Sequence, residues 1–245
     1  LNFDWLVARP IAHRGWHGEG RPENSLAAAE AAISAGYAIE CDIQRSADGE
    51  AVVFHDDALE RLTGAQGRIG DYALAALGGL RLSGSDEPIP ALSDLLGLIA
   101  GRVPLVCEIK SAFDGDTRLA LRAAEIAAAY EGPLALKSFD PDVVAFLRAA
   151  GSTRPLGVVA EADYDDPYFA ALTPAQKQDC AAFLHTGRTA PDFLSFSVDD
   201  LPHAVPTLMR ALGRKPVMAW TVRRPEQWAT ARRFADQAVF EGEVL

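Results

Sequence analysis

Short apolar runs rich in β-branched residues alternate along the chain with alanine-rich segments of helical period, the pattern of β-α units on a parallel sheet. The runs predict strands over Pro10 to His13, Tyr37 to Ile43, Ala51 to His55, Pro104 to Lys110, Pro133 to Phe139, Pro155 to Ala160, Asp192 to Val198 and Pro216 to Val222. Helices are predicted over Ser25 to Ala35, Ser93 to Ala100, Asp116 to Tyr130, Pro141 to Ala149, Pro174 to Leu184, Ala204 to Ala211 and Pro225 to Ala235. Asn24-Ser25 supplies a cap before the first helix, and Gly36 and Gly151 allow left-handed stops after two others.

This order is that of an α/β fold, a (β/α)8 barrel, with two departures. "QRSADGE" between the second and third strands is too short for a crossover helix, which needs about a dozen residues, so one barrel helix is missing. "QAVFEG" near the end is a ninth strand-like segment competing for eight places, and the pattern leaves open which candidate is displaced. The glycine-rich stretch 57–90 follows the third strand and reads as a long insertion over one mouth of a single domain spanning 1–245.

Composition narrows the function. With 245 residues and 49% hydrophobic side chains, the chain can bury one large core. The net charge of −11 repels polyanions, so nucleic acid is not an expected partner, and an anionic substrate must be attracted by local cations or a bound metal. Cys41, Cys107 and Cys180 lack the spacing of a zinc site or a disulfide framework, which suggests a reducing, cytoplasmic setting. No apolar run reaches the roughly 18 residues of a membrane span, and no signal-peptide pattern opens the chain. The first residue is Leu1 rather than Met, so a removed leader stays open.

The chemistry concentrates at strand ends. Side chains alternate faces along a strand, so Glu40 and Asp42 of "IECDI" point one way, as do Glu108 and Lys110 of "VCEIK". With Val106, Ile109 and the two cysteines turned to the helix layer, the carboxylates and Lys110 turn to the barrel axis, at the mouth where barrel active sites are built. One acidic pair there is as readily solvated or paired with a lysine. Three carboxylates converging in a low-dielectric mouth call for a divalent cation, and all-oxygen donors favour Mg²⁺ or Ca²⁺ over zinc.

His13 and His55 close the first and third predicted strands beside this cluster, and imidazole both takes and gives a proton near neutral pH. Arg14 offers a planar fork for phosphate oxygens, and Gly15 permits close approach of backbone to a ligand. His17, His185 and His203 read as hydrogen-bonded edge residues. Three carboxylates, a divalent ion, Arg14 and Lys110 leave about one positive charge, which suits a phosphodiester monoanion.

The ordered set "AHRG", "PENS", "IECDI", "ADGEAVVFHD", "IPALSDLL", "VCEIK", "LKSFDP" and "AWTV" resembles the glycerophosphodiester phosphodiesterase family across nearly the whole chain. The resemblance implies a distorted TIM barrel with a small inserted subdomain after the third strand. It implies that Glu40, Asp42 and Glu108 hold one divalent cation, Mg²⁺ before Ca²⁺, and that His13 and His55 are the general acid and base. By the same resemblance Arg14 and Lys110 bind phosphate, Glu23 stands beside the metal site, and Phe139 and Trp220 line the pocket. The implied reaction hydrolyses a small-molecule glycerophosphodiester to glycerol 3-phosphate and an alcohol, without stable membrane insertion. A lyase stopping at a cyclic phosphate is the alternative; a noncatalytic phosphodiester sensor should have lost a histidine or metal ligand, and none is lost.

Three positions depart from the family pattern. Arg223-Arg224 follow "AWTV" where asparagine is more usual, "VFEG" stands where many members carry Thr-Asp, and Lys137 replaces a common glutamine. Lys137 then either adds a phosphate contact or pairs with Glu161 or a metal-site carboxylate. These changes bear on substrate choice more than on reaction type.

Overall fold

Hydrogen bonding between the apolar runs builds one sheet of nine strands in the computed structural model, which describes residues 3–244. The strands are β1 (Ile11–Ala12), β2 (Ala38–Arg45), β3 (Ala51–Val53), β4 (Leu105–Ile109), β5 (Leu134–Ser138), β6 (Leu156–Ala160), β7 (Phe193–Ser197), β8 (Val217–Val222) and β9 (Gln237–Phe240). β1 pairs in parallel with both β2 and β9, so eight strands close into a parallel barrel in the order β1-β2-β4-β5-β6-β7-β8-β9. This is a distorted TIM barrel.

The displaced candidate is the third. β3 runs antiparallel along β2, outside the barrel, with Ile43 opposite Val53 and Arg45 opposite Ala51. Ser46 Oγ bonds Asp48 and accepts from the Glu50 N–H, and Gly49 stands at φ 89°, so the link is a tight turn that can only reverse the chain. "QAVFEG" takes the vacated place as β9.

Ten α-helical segments accompany the strands among the described residues: α1 (Leu26–Ala35), α2 (Glu60–Thr63), α3 (Leu74–Leu77), α4 (Leu92–Ile99), α5 (Arg118–Ala129), α6 (Pro141–Ala149), α7 (Pro174–Ala181), α8 (Thr186–Thr189), α9 (Ala204–Ala211) and α10 (Pro225–Phe234). Ser25 Oγ caps α1 by accepting from the Ala28 N–H, and Asp140 and Thr173 cap α6 and α7 ahead of prolines at the first helical position.

Strand alternation divides the core. Cys41, Cys107, Leu105 and Ile109 face the helices, while Ala38, Val106, Ala135, Phe193, Met218 and Val239 fill the barrel with Leu6 from the N-terminal turn. Val106 therefore faces the axis and not the helix layer, because a period of two places it with Glu108. β3 joins two cores by the same rule: Ala51 and Val53 enter the main core, while Val52 and Phe54 pack with Leu59, Ile69, Leu77, Leu82 and Ile89 of the 57–90 stretch. That stretch is thus built of short helical turns over an apolar cluster of its own.

Candidate active site

Register sets the site's first row. Asp42 on β2 lies opposite Glu108 on β4, and Glu108 lies opposite Lys137 on β5. Glu40, two residues before Asp42, shares its face. Glu40, Asp42 and Glu108 are buried, and each offers one oxygen to a group lying within 4.8 Å of one another. Burial at this level is compensated by cations. Lys110 Nζ is 2.8 Å from Asp42 and 2.5 Å from Glu108, and Lys137 Nζ is 3.0 Å from Glu40 and 3.3 Å from Glu108. Lys137 thus meets the cluster's carboxylates, not Glu161.

Burial pushes the Asp42 and Glu108 carboxyls up, but Lys110 foremost among the neighbouring cations holds both below the usual range. The same pairing outweighs desolvation at the two lysines and raises both above the ordinary ammonium value.

The turn after β1 supplies the second row. Arg14 at φ 56° and Gly15 at φ 78° swing the chain so that the Arg14 N–H donates to Glu40 Oε2 at 3.1 Å. The Arg14 guanidinium donates to Glu23 at 2.6 Å and stands 3.2 Å from Asp42. Gly15 is needed for a different reason than ligand approach. A Cβ there would lie 2.9 Å from the Ala28 backbone, so the glycine admits α1 against the turn.

His13 follows β1, and its Nδ1 lies 2.6 Å from Glu241 Oε1 past β9. His55 does not close a barrel strand. β2 overruns the rim and β3 returns antiparallel, so that the Phe54 N–H bonds the Asp42 carbonyl and His55 arrives at the level of the cluster from outside the barrel. His55 Nδ1 lies 2.7 Å from Asp56 Oδ1. A carboxylate only accepts, so in both pairs Nδ1 carries the proton and Nε2 is the remaining nitrogen.

Each of these carboxylates is gripped by an arginine. Arg223 donates to both Glu241 oxygens at 2.6 and 2.9 Å, and Arg61 on α2 donates to both Asp56 oxygens at 2.5 and 2.9 Å. Despite desolvation, the histidine and arginine contacts hold both carboxyls far below their ordinary value. Arg61 also forks onto Glu23 at 2.9 and 2.8 Å, tying the 57–90 stretch to Arg14.

A cavity of about 220 Å³ opens here, lined by His13, Arg14, Asp42, His55, Glu108, Lys110, Lys137, Phe139, Trp220 and Arg223 among others. Glu40 and Glu23 are not in its lining; Glu40 sits fully buried and Glu23 is held by Arg14 and Arg61. Phe139 and Trp220 meet edge to face at 5.5 Å, and Phe139 also meets Tyr168 at 5.8 Å, an aromatic neighbour the sequence reading missed. A larger cavity of about 480 Å³ lies by Asp192, Pro216 and Asp236, ahead of strands β7 to β9, and contains none of the expected residues.

Sequence reasoning also missed Asn24, Asp56, Arg61 and Glu241. Asn24 Nδ2 donates to Asp42 Oδ2 at 3.0 Å while its Oδ1 accepts from the Asp42 N–H at 3.2 Å. Asp56 directly follows His55, Asn24 lies within "PENS", and Glu241 lies in "VFEG" just past the ninth strand, so their places in or beside quoted motifs were the available signal; Arg61 carried none. Of the other histidines, His203 caps α9 by accepting from the Val205 N–H and His185 is buried against Thr189. His17 Nε2 is buried without a hydrogen bond and lies 4.0 Å from Glu241 Oε1.

The model of the glycerophosphoryl diester phosphodiesterase family matches residues 13–241, all but the ends of the chain. The chain belongs to this family. A glycerophosphodiester phosphodiesterase of Caldanaerobacter subterraneus is 37% identical over 109 residues, 41% of this chain and 44% of the relative. One from Bacillus altitudinis is 36% identical over 111 residues, 42% of this chain and 45% of the relative. The matched stretches span less than half the length of these relatives. An Oleispira antarctica phosphodiesterase, solved with the product sn-glycerol-3-phosphate, superposes with a TM-score of 0.78 at 22% identity, over 96% of this chain and 93% of that one. The glycerophosphodiester phosphodiesterase of Thermotoga maritima gives 0.72 at 24% identity, over 94% and 92%. At such identities the likeness is one of fold.

The family implies a metal, and the donor set fits one. Three hard oxygen donors converge, and Glu40 Oε1 receives no hydrogen bond of good geometry although Lys137 Nζ is near it. Among the described residues no helix is long and apolar enough to cross a membrane.

Proposed function

We propose that this chain hydrolyses a glycerophosphodiester to glycerol 3-phosphate and an alcohol. The observation that carries the reading is the meeting, in one cavity, of two imidazoles fixed through Nδ1 and a buried cluster of three carboxylates. Glu40, Asp42 and Glu108 would hold one divalent cation. Such an ion polarises phosphoryl oxygens and offsets charge in the transition state. Mg²⁺ is the preferred ion and Ca²⁺ the alternative, since both take all-oxygen sites.

One imidazole, bare at Nε2, takes the proton of the attacking water or substrate hydroxyl, and the other, acting as the imidazolium, delivers its Nε2 proton to the departing alkoxide; where the substrate's own hydroxyl attacks, a water then opens the cyclic phosphate. Each role contributes about 10²- to 10⁴-fold. Arg14 and Lys110 face the phosphate, with Glu23 setting the Arg14 guanidinium. Lys137 revises the charge balance read from sequence. Arg14, Lys110 and Lys137 already match the three carboxylates, so a divalent ion leaves about two positive charges to receive the phosphodiester. Phe139 and Trp220 wall the alcohol side.

Residues 1–245 act as one catalytic domain in this reading, with 57–90 as an insertion that delivers Arg61 to the rim. The three free, buried cysteines support a reducing, cytoplasmic setting. The test is turnover of glycerophosphocholine, glycerophosphoethanolamine and glycerophosphoinositol after chelation and readdition of Mg²⁺ or Ca²⁺, with products followed by phosphorus NMR. His13→Ala and His55→Ala should each lose nearly all turnover while keeping the wild-type circular dichroism spectrum. Wild-type rates in either variant would refute the acid-base assignment, and an accumulating cyclic phosphate would favour the lyase.

A further inference from the structure

Arg223 and Glu241, from two neighbouring strand ends, meet beside His13. Arg223 donates Nε to Glu241 Oε2 at 2.6 Å and Nη2 to Glu241 Oε1 at 2.9 Å. The same Glu241 Oε1 lies 2.6 Å from His13 Nδ1. We propose that Glu241 is the positioning residue for His13, and that Arg223 is the clamp that makes a glutamate able to do this work. The inference rests on the reading of His13 as a proton-transfer group.

His13, Arg223 and Glu241 follow β1, β8 and β9, which are neighbours only because β9 closes the barrel between the other two. A glutamate has one more rotatable bond than an aspartate, so a lone one would hold the imidazole less firmly. The planar arginine fork fixes both of its oxygens at once and removes that freedom. A carboxylate held in this way is a poor proton acceptor, so the proton stays on Nδ1 and the lone pair is left on Nε2, which lies 3.9 Å from Glu40 Oε2 at the edge of the cavity. The second histidine repeats the plan from different elements: His55, Asp56 and Arg61 form the same chain of imidazole, carboxylate and bidentate arginine. Recurrence on both sides of the carboxylate cluster is what a positioning device predicts and what two incidental surface pairs do not.

The decisive measurement is two-bond ¹⁵N–¹H correlation NMR at mildly alkaline pH on the unsubstituted protein, with the His13 signals assigned by their loss in His13→Ala. The Nδ1–H tautomer is expected; an Nε2–H tautomer overturns the proposal. It is paired with kcat and KM on glycerophosphocholine for Glu241→Gln, Glu241→Asp and Arg223→Gln, each checked for folding by circular dichroism. Glu241→Gln should lower kcat by roughly 10²- to 10⁴-fold with KM little changed, since an amide supports the wrong tautomer as readily as the right one. Glu241→Asp should recover part of that loss, and Arg223→Gln should lower kcat less than Glu241→Gln does. A wild-type kcat in Glu241→Gln, or equal loss in the aspartate and glutamine variants, overturns the proposal. Full turnover in His13→Ala would instead sink the underlying acid-base reading, and the tautomer of the unsubstituted protein would still decide the Glu241 contact.

Discussion

Asn24 shows how much one residue can carry. It sits buried at φ 58°, a left-handed conformation that asparagine tolerates better than most residues, and it meets Asp42 with both ends of its amide. Asn24→Ala removes two hydrogen bonds from a buried carboxylate and keeps a side chain in the left-handed region, so a loss of about 1–3 kcal/mol is expected. Urea unfolding measures it, and Asn24→Gly should recover the backbone part but not the hydrogen bonds; an unchanged midpoint in the alanine variant refutes the account. At this scale the sequence was informative where periodicity speaks. Glu40, Asp42, Glu108 and Lys110 share a face because side chains alternate along strands, and they are found together. Lys137 was left between three partners, because which carboxylate an ammonium reaches depends on strand register, and register placed it opposite Glu108.

Elements differ from residues in that their neighbours are chosen by closure. The sequence showed nine strand-like runs and a missing helix, yet not which run was outside. β3 is excluded because its link to β2 is too short to cross over, and the expected barrel place of His55 falls with it. The histidine still reaches the cluster, since an antiparallel return from an overlong β2 brings the chain back to the level of Asp42. Packing between elements makes a separate prediction at β6. Gly157 lies opposite Lys137 on one side and Phe193 on the other, and a Cβ at Gly157 would overlap the Phe193 ring. Gly157→Ala should therefore cost about 1–3 kcal/mol by overpacking the barrel interior, read as a lower urea midpoint. Phe193→Leu in the same background should restore part of it; failure of that double variant to recover stability would argue for a backbone effect instead.

On the scale of the whole molecule, a net charge of −11 must be distributed so that like charges rarely meet. Glu161 is one place where they do. Burial, then Asp200, Asp166 and Asp163, push its carboxyl up to about 7. The folded state thus favours the protonated form, so the contribution to stability is full below the ordinary carboxylate range and is lost as pH rises through about 7. Glu161→Gln should melt a few degrees above the wild type on the alkaline side of neutrality, with the gap closing in acid; a gap independent of pH would refute the assignment. The sequence by itself determined the class of fold, the strand and helix pattern and the faces on which acidic and basic groups fall, because each follows from local periodicity and turn chemistry. Only the tertiary structure decided which strands close the barrel, which arginine grips which carboxylate and how Glu241 comes to stand against His13. Those contacts join residues as many as 228 positions apart, and barrel closure, not local preference, brings them within bonding distance.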